Sequence, residues 1–155
     1  MNLEIERKFL VTAEPPKENG VPMVQGYLCH DPERTIRVRK EGPRAVITIK
    51  SATVGISRAE YEYEIPLEDT EELLKLATSP VVRKTRYYHK VAKHTWEIDV
   101  FEGKNQGLVV AEIELSSEDE EFEKPEWVGE EVSHDRKYTN SSLARLPYSQ
   151  WQEPD

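Results

Sequence analysis

Residues 1–11 read Met-Asn-Leu-Glu-Ile-Glu-Arg-Lys-Phe-Leu-Val, and the charges of Glu4, Glu6 and Lys8 fall on alternate positions. In a β-strand successive side chains point to opposite faces, so these three share one face while Leu3, Ile5 and Phe9 lie on the other. The arrangement recurs along the chain. Glu60 with Glu62, Glu97 with Asp99, and Glu112 with Glu114 form acidic pairs at i, i+2; Arg37 with Arg39, Lys84 with Arg86, and Lys50 two residues after Thr48 supply basic counterparts. Like charges about 7 Å apart on one strand repel each other unless something of opposite sign stands nearby.

Working outward from these pairs, period-two alternation predicts strands over residues 3–11, 23–29, 35–40, 45–50, 58–65, 82–90, 95–101 and 109–115. Glu41-Gly42-Pro43 and Glu102-Gly103-Lys104-Asn105 carry turn chemistry between or after them, which favours antiparallel hairpins. Helical spacing predicts a helix over 67–77, with Leu67, Leu73, Leu74 and Ala77 among acids and Pro80 as its stop. A second helix is expected over 117–123, where Ser117 and Glu120 form a capping box ahead of Pro125. The tail over 135–148, with Leu143, Leu146 and Pro147, reads as a short helix laid across the body. There is no internal repeat or linker, so residues 1–155 are expected to form a single, mainly β (α+β) domain.

A net charge of -9 speaks against nucleic-acid or anionic-membrane binding. No apolar run approaches the ~20 residues of a membrane span, and the acidic start does not resemble a signal peptide. With Cys29 as the only cysteine, a disulfide framework is excluded and the expected compartment is the cytoplasm. His30, His89, His94 and His134 lack zinc-site spacing and are expected to be solvated or hydrogen-bonded.

Two readings of the charged strand faces remain open on these residues. They are the solvent faces of an amphipathic sheet, or they line the inside of a closed eight-stranded barrel, whose interior has room for side chains or one small ligand. In the second case a wall of carboxylates faces a wall of Arg and Lys. Crowded carboxylates need a cation, and Mg²⁺ prefers one or two carboxylates plus phosphate oxygens. The basic wall suits phosphate, which Arg grips with two parallel hydrogen bonds. The apolar faces, including Ile49, Tyr61, Tyr63 and Trp96, would then point outward and require cover from the helices, the tail or a second copy in a homodimer.

The Glu-x-Glu-x-Lys at Glu4, Glu6 and Lys8 resembles the signature of the CYTH superfamily, the triphosphate tunnel metalloenzymes, among them class IV adenylyl cyclases, thiamine triphosphatases and inorganic tripolyphosphatases. Gln25-Gly26-Tyr27-Leu28, Arg34 through Arg39, Thr48-Ile49-Lys50, Gly55-Ile56-Ser57-Arg58, Lys84-Thr85-Arg86-Tyr87, Trp96 through Asp99 and Ala111 through Leu115 are similar to compact bacterial members in order and spacing, as is the ending around Tyr138, Asn140 and Pro147-Tyr148. The resemblance implies a closed eight-stranded antiparallel β-barrel, the triphosphate tunnel fold, with a few flanking helices. It also implies that Glu4, Glu6 and Glu114 are the main metal carboxylates, with Glu60, Glu62, Asp99 and Glu112 placing a second metal or the attacking water. Lys8, Arg37, Arg39, Lys50, Lys84 and Arg86 would hold the triphosphate, and Tyr27 would close one end of the tunnel. Catalysis is expected to rest on Glu4, Glu6, Lys8, Glu62, Lys84, Asp99, Glu112 and Glu114. Thr139 stands where many relatives repeat tyrosine, which leaves open whether Arg136 or Lys137 reaches the phosphates.

The expected activity is hydrolysis of a triphosphate, foremost inorganic tripolyphosphate, with Mg²⁺ or Mn²⁺. The rivals are adenylyl cyclase chemistry, hydrolysis of nucleoside or thiamine triphosphate, and a non-catalytic polyphosphate or nucleotide sensor.

Overall fold

The computed structural model describes residues 3–151; residues 1–2 and 152–155, the two ends of the domain expected over 1–155, lie outside the described residues. All eight expected strands form: β1 (Leu3–Val11), β2 (Val21–Asp31), β3 (Arg34–Glu41), β4 (Arg44–Ser51), β5 (Ser57–Ile65), β6 (Val82–Val91), β7 (His94–Phe101) and β8 (Val109–Glu114). They pair antiparallel in the order β5-β4-β3-β2-β6-β7-β8-β1, and β5 returns to β1 through Leu3↔Ala59, Glu4↔Arg58 and Ile5↔Ser57. The sheet is therefore the closed eight-stranded barrel that the resemblance implies and that the charge pattern left as one of two readings. A ninth strand, β9 (Val128–Glu131), was not anticipated; it sits on β1 beyond the end of β5, with Phe9 opposite Glu131 and Val11 opposite Val128. Four residues carry too little alternation to stand out in the sequence.

The apolar core lies outside the barrel. Ile5, Phe9, Trp96, Ile98, Ala111 and Ile113 project from β1, β7 and β8 into a cluster completed by Leu115, Trp127 and Val128. The indole of Trp96 is fully buried, with Phe9, Phe122 and Trp127 meeting it edge-on at centroid distances of 5.6, 5.8 and 5.7 Å. Such pairs contribute about 0.5–1.5 kcal/mol beyond burial alone. The cover comes from the excursion between β8 and β9, and it is not helical. The helix expected over 117–123 is replaced by bends and turns. Its capping-box carboxylate is used differently: Glu120 accepts from the backbone N–H of Ser116 at 2.6 Å and clasps the His94 ring across the sheet. Irregular backbone then carries Phe122 and Trp127 onto this outer cluster.

The helix expected over 67–77 contracts to a 3₁₀ turn (Leu67–Asp69) and α1 (Thr70–Leu74). Leu74 and Ala77 stand directly over Gly26 of β2, where a Cβ would come within 3.0 Å of the Ala77 Cβ, so only glycine admits this contact without displacement. The tail forms α2 (Asn140–Arg145), as expected, and it closes one end of the barrel. Leu143 and Ala144 enter a second apolar cluster with Tyr27, Val82, Phe101, Leu108 and Val110. On the opposite flank Ile49, Tyr61 and Tyr63 remain 38–56% exposed, so the outer face of β4 and β5 lacks the cover given to β7, β8 and β1.

The Glu120 clasp gives a pH-dependent stability. Hydrogen bonds from the Ser116 N–H and from His94 hold the Glu120 carboxyl below its ordinary 4.5. A depressed carboxyl pKa stabilises the fold above the unfolded value and loses that effect as pH falls through the folded one. Glu120→Gln is therefore expected to lower Tm at neutral pH, with the gap to wild type closing in thermal melts below pH ~4. Equal Tm values at pH 7 would show that the clasp contributes nothing.

Candidate functional site

The order of the strands around the barrel sorts the charges. The consecutive neighbours β4, β3, β2 and β6 carry Lys50, Arg37, Arg39, Lys84 and Arg86; β7, β8, β1 and β5 carry Glu97, Asp99, Glu112, Glu114, Glu4, Glu6, Glu60 and Glu62. Two walls of opposite sign face each other across a cavity of about 290 Å³. Lys8 and Arg58 are the cations on the acidic side. Of the expected site residues, Glu4, Glu6, Lys8, Tyr27, Arg37, Arg39, Lys50, Glu60, Glu62, Arg86, Glu112 and Glu114 all line this cavity. The inward reading of the charged faces is the one the fold adopts.

Along the two seams where the walls meet, opposite charges bond. At the seam of β6 with β7, Arg86 donates to both oxygens of Asp99 at 2.7 and 2.9 Å and to Glu97 at 3.0 Å, and Lys84 donates to Asp99 at 2.7 Å. At the other seam Lys50 lies 3.1 Å from Glu4 and 3.3 Å from Glu60, and Arg58 donates to Glu4 at 3.1 Å. Between them Arg37 donates to Thr48 Oγ1, which donates on to Glu62, at 3.3 and 3.2 Å. Arg39 is held by Glu41 at 2.8 Å. Lys8 bridges Glu112 at 3.3 Å and the Tyr138 carbonyl at 3.0 Å.

Two expected residues stand apart. Lys84 and Asp99 are completely enclosed, with no side-chain exposure, and they do not line the cavity. Both Asp99 oxygens are taken by Arg86 and Lys84, which leaves this carboxylate committed to the seam. Burial drives the Lys84 ammonium down to about 7, with Asp99 opposing the fall and Arg86 adding to it.

The carboxylates divide by surroundings. Burial acts to raise Glu4, yet the Lys50 ammonium, a hydrogen bond shared with Glu60 and the Arg58 guanidinium bring it down to about 2. Its partner Glu60 is pushed up to about 7 by burial and by that shared hydrogen bond, so the pair takes up a proton as pH falls through about 7. Glu6 lies well above the ordinary range through burial, reinforced by Glu112 and Glu4, and Glu114, its cross-strand partner, is raised by burial and Glu4. Glu112 goes the other way: burial is outweighed by Lys8 and Arg86, which keep it ionised. Among the described residues no three His, Cys, Asp or Glu side chains converge as a ready-made metal cage. The donor set nevertheless fits a hard divalent cation. Glu4, Glu6, Glu60 and Glu114 offer oxygen ligands only, Glu6 and Glu114 have no ion-pair partner among the described residues, and such a cation completes its shell with phosphate oxygens and water.

Residues that the charge pattern did not single out also belong to the site. Arg58 shares the inward face of β5 with Glu60, a signal present at i, i+2 and passed over. Glu41 continues the inward row of β3 beyond Arg39. Asn140, Ser133 and the Tyr138 carbonyl come from the tail, whose irregular backbone offers no period to read.

The chain is 44% identical to the inorganic triphosphatase of Acetivibrio thermocellus, over 99% of this chain and 100% of that protein. It is 41% identical to the inorganic triphosphatase of Nitrosomonas europaea, over 91% of this chain and 96% of that one. Among solved structures, the crystal structure of an inorganic triphosphatase superposes with a TM-score of 0.66 at 39% identity, covering 91% of this chain and 93% of the other. A CYTH domain is matched over residues 2–146, nearly the whole length, and with its charges sorted onto facing walls of a closed eight-stranded barrel the chain belongs to the CYTH family.

Proposed function

We propose that this chain is a divalent-metal-dependent triphosphatase that hydrolyses inorganic tripolyphosphate to pyrophosphate and phosphate inside its barrel. The observation that carries the reading is the cavity with a cationic and an anionic wall, whose aromatic lining among the described residues is Tyr27 and Tyr138. A polyphosphate and a cation together satisfy both walls, whereas an adenine base finds no free stacking platform, since Tyr27 is packed into the cluster around α2. Names of the relatives at 44% and 41% identity support the same substrate.

Phosphoryl transfer calls for positioning and charge stabilisation more than for a protein nucleophile. Arg37 and Arg39 grip phosphate oxygens by exchanging Thr48 and Glu41 for the substrate, a replacement of one oxygen acceptor by another. Lys8 from the acidic side and Lys50 from the edge of the basic wall neutralise the phosphate chain, and Arg86 stays rigid because Asp99 and Glu97 hold it. Glu112, kept ionised by Lys8 and Arg86, and Glu62 are the cavity carboxylates placed to accept a hydrogen bond from water. Membership of the family implies a divalent metal. Mg²⁺ or Mn²⁺, held by Glu4, Glu6, Glu60 and Glu114, supplies charge neutralisation on the phosphate oxygens when bound. We place the protein in the cytoplasm as one domain acting on a small molecule, without nucleic acid or membrane, consistent with a net charge of -9. Among the described residues no helix is long and apolar enough to cross a membrane. In a homodimer a second copy would sit on the uncovered strip of Ile49, Tyr61 and Tyr63.

With Mg²⁺ present, kcat/KM for tripolyphosphate is expected to exceed that for ATP, and EDTA should abolish turnover. Product analysis decides the rivals: cyclic AMP from ATP identifies a cyclase, a preference for ATP or thiamine triphosphate identifies those hydrolases, and binding without products identifies a sensor.

Glu6 is enclosed beside Glu4, Glu112 and Glu114, so Glu6→Gln removes a repelled charge as well as a metal ligand. The variant is expected to lose about 100-fold or more in turnover while its metal-free Tm at pH 7 rises. A fall in Tm would place Glu6 among favourable partners instead.

For Arg39→Ala, losing a charge-assisted contact should cost ~1.5–3 kcal/mol, or about 10- to 150-fold in kcat/KM, and Arg39→Lys should recover only part of it. Wild-type kinetics in the alanine variant would remove Arg39 from the phosphate site.

A further inference from the structure

Lys84 was expected to meet the phosphates, but it lies behind the cavity surface, and the group that fronts it is Asn140. The Asn140 side chain lines the cavity, and its Oδ1 accepts from Lys84 Nζ at 3.2 Å. Lys84 donates to Asp99 and to this Oδ1, so the amide presents its oxygen to Lys84 and turns its NH₂ elsewhere. Among the described residues that NH₂ has no hydrogen-bonding partner. Nor is Asn140 needed to cap α2: Thr139 does that, its Oγ1 accepting from the Ser142 N–H at 3.2 Å. The tail itself is anchored independently, by Leu143 and Ala144 in the apolar cluster and by Trp151 against Tyr138 and Tyr148.

Resting on the triphosphate reading of the tunnel, the geometry points to Asn140 as a further substrate-binding residue, whose amide NH₂ donates to a phosphate oxygen at the closed end. Lys84 polarises and orients this amide through Oδ1, and Asp99 fixes Lys84 in turn. The enclosed lysine thus acts on the substrate through a neutral donor. The α2 tail consequently has a role in the site beyond plugging the barrel, and it brings that donor from the end of the chain most distant in sequence from Glu4 and Glu6.

Asn140→Ala and Asn140→Asp separate this role from a structural one. Aspartate is the same shape, keeps an acceptor for Lys84 and suits the first turn of a helix, so if Asn140 only holds Lys84 or α2 in place, Asp should perform as well as wild type and Ala should be the impaired variant. A phosphate donor predicts the reverse order. Ala loses the contact, weakening binding about tenfold, and Asp sets a carboxylate against the phosphate and weakens it further. Tripolyphosphate binding is measured by isothermal titration calorimetry in EDTA, where nothing turns over, alongside KM and kcat with Mg²⁺ and Tm for each variant. Expected are unchanged Tm values and affinities falling from wild type to Ala to Asp. Wild-type affinity in either variant, or Asp binding more tightly than Ala, overturns the assignment. Wild-type protein that binds tripolyphosphate without hydrolysing it in Mg²⁺ would refute the triphosphatase reading alone, since the order of affinities still decides Asn140; no binding in EDTA and no turnover in Mg²⁺ would refute both.

Discussion

The salt bridges at the two seams of the barrel, Arg86 and Lys84 on Asp99 and Lys50 on Glu4 and Glu60, are the interaction on which the remaining structure turns. Six of the eight barrel strands, all but β2 and β4, carry a pair of like charges that repel when the strand is taken alone. Closure of the sheet sets acidic strands beside basic ones at β6 with β7 and at β4, β5 and β1, so the repulsion within strands is offset between them. Away from the seams the compensation is incomplete, and Glu6 and Glu114 are left facing each other. That imbalance is what makes the lumen receptive to a cation on one side and a polyanion on the other.

Buried ion pairs of this kind add little net stability, because desolvation consumes much of the Coulomb gain. Some polar groups gain nothing at all: Gln25, on β2 opposite Arg39, is fully buried with neither amide atom partnered. The fold is therefore held from outside. Trp96, Phe9, Ile98 and Ile113 on the outer face, wrapped by Phe122 and Trp127, and the Leu143 cluster at the closed end supply the apolar burial that an ordinary barrel places in its middle. Interior chemistry and exterior packing are divided between the two faces of the same strands, which is why most of them alternate so strictly, with β2 and its register shift between Tyr27 and Cys29 the exception.

That strictness made most of the molecule readable. A period of two reports which residues share a face, and it located all eight barrel strands and the inward charge of nearly every cavity residue. It reports nothing about partners. The commitment of Asp99 to Arg86, the enclosure of Lys84, and the capture of Glu120 by His94 in place of a helix cap all depend on residues 13 or more positions away. Arg58 was within reach of the pattern, whereas β9 was too short and the segment bearing Asn140 too irregular to leave a trace.

Alternation is symmetric between the two faces, so the chain's own order of residues established that charges and apolar groups would separate but was neutral about which face would turn inward. The resemblance to known tunnel proteins pointed one way; burial made the choice. Trp96, Ile98 and Ile113 can be removed from water on the outside because the excursion carrying Phe122 and Trp127 folds back over them, and the charged faces can be enclosed only if opposite signs meet there. Both conditions involve contacts between segments remote in sequence, and they are met together only once β5 has closed on β1 through the pairing of Leu3, Glu4 and Ile5 with Ala59, Arg58 and Ser57.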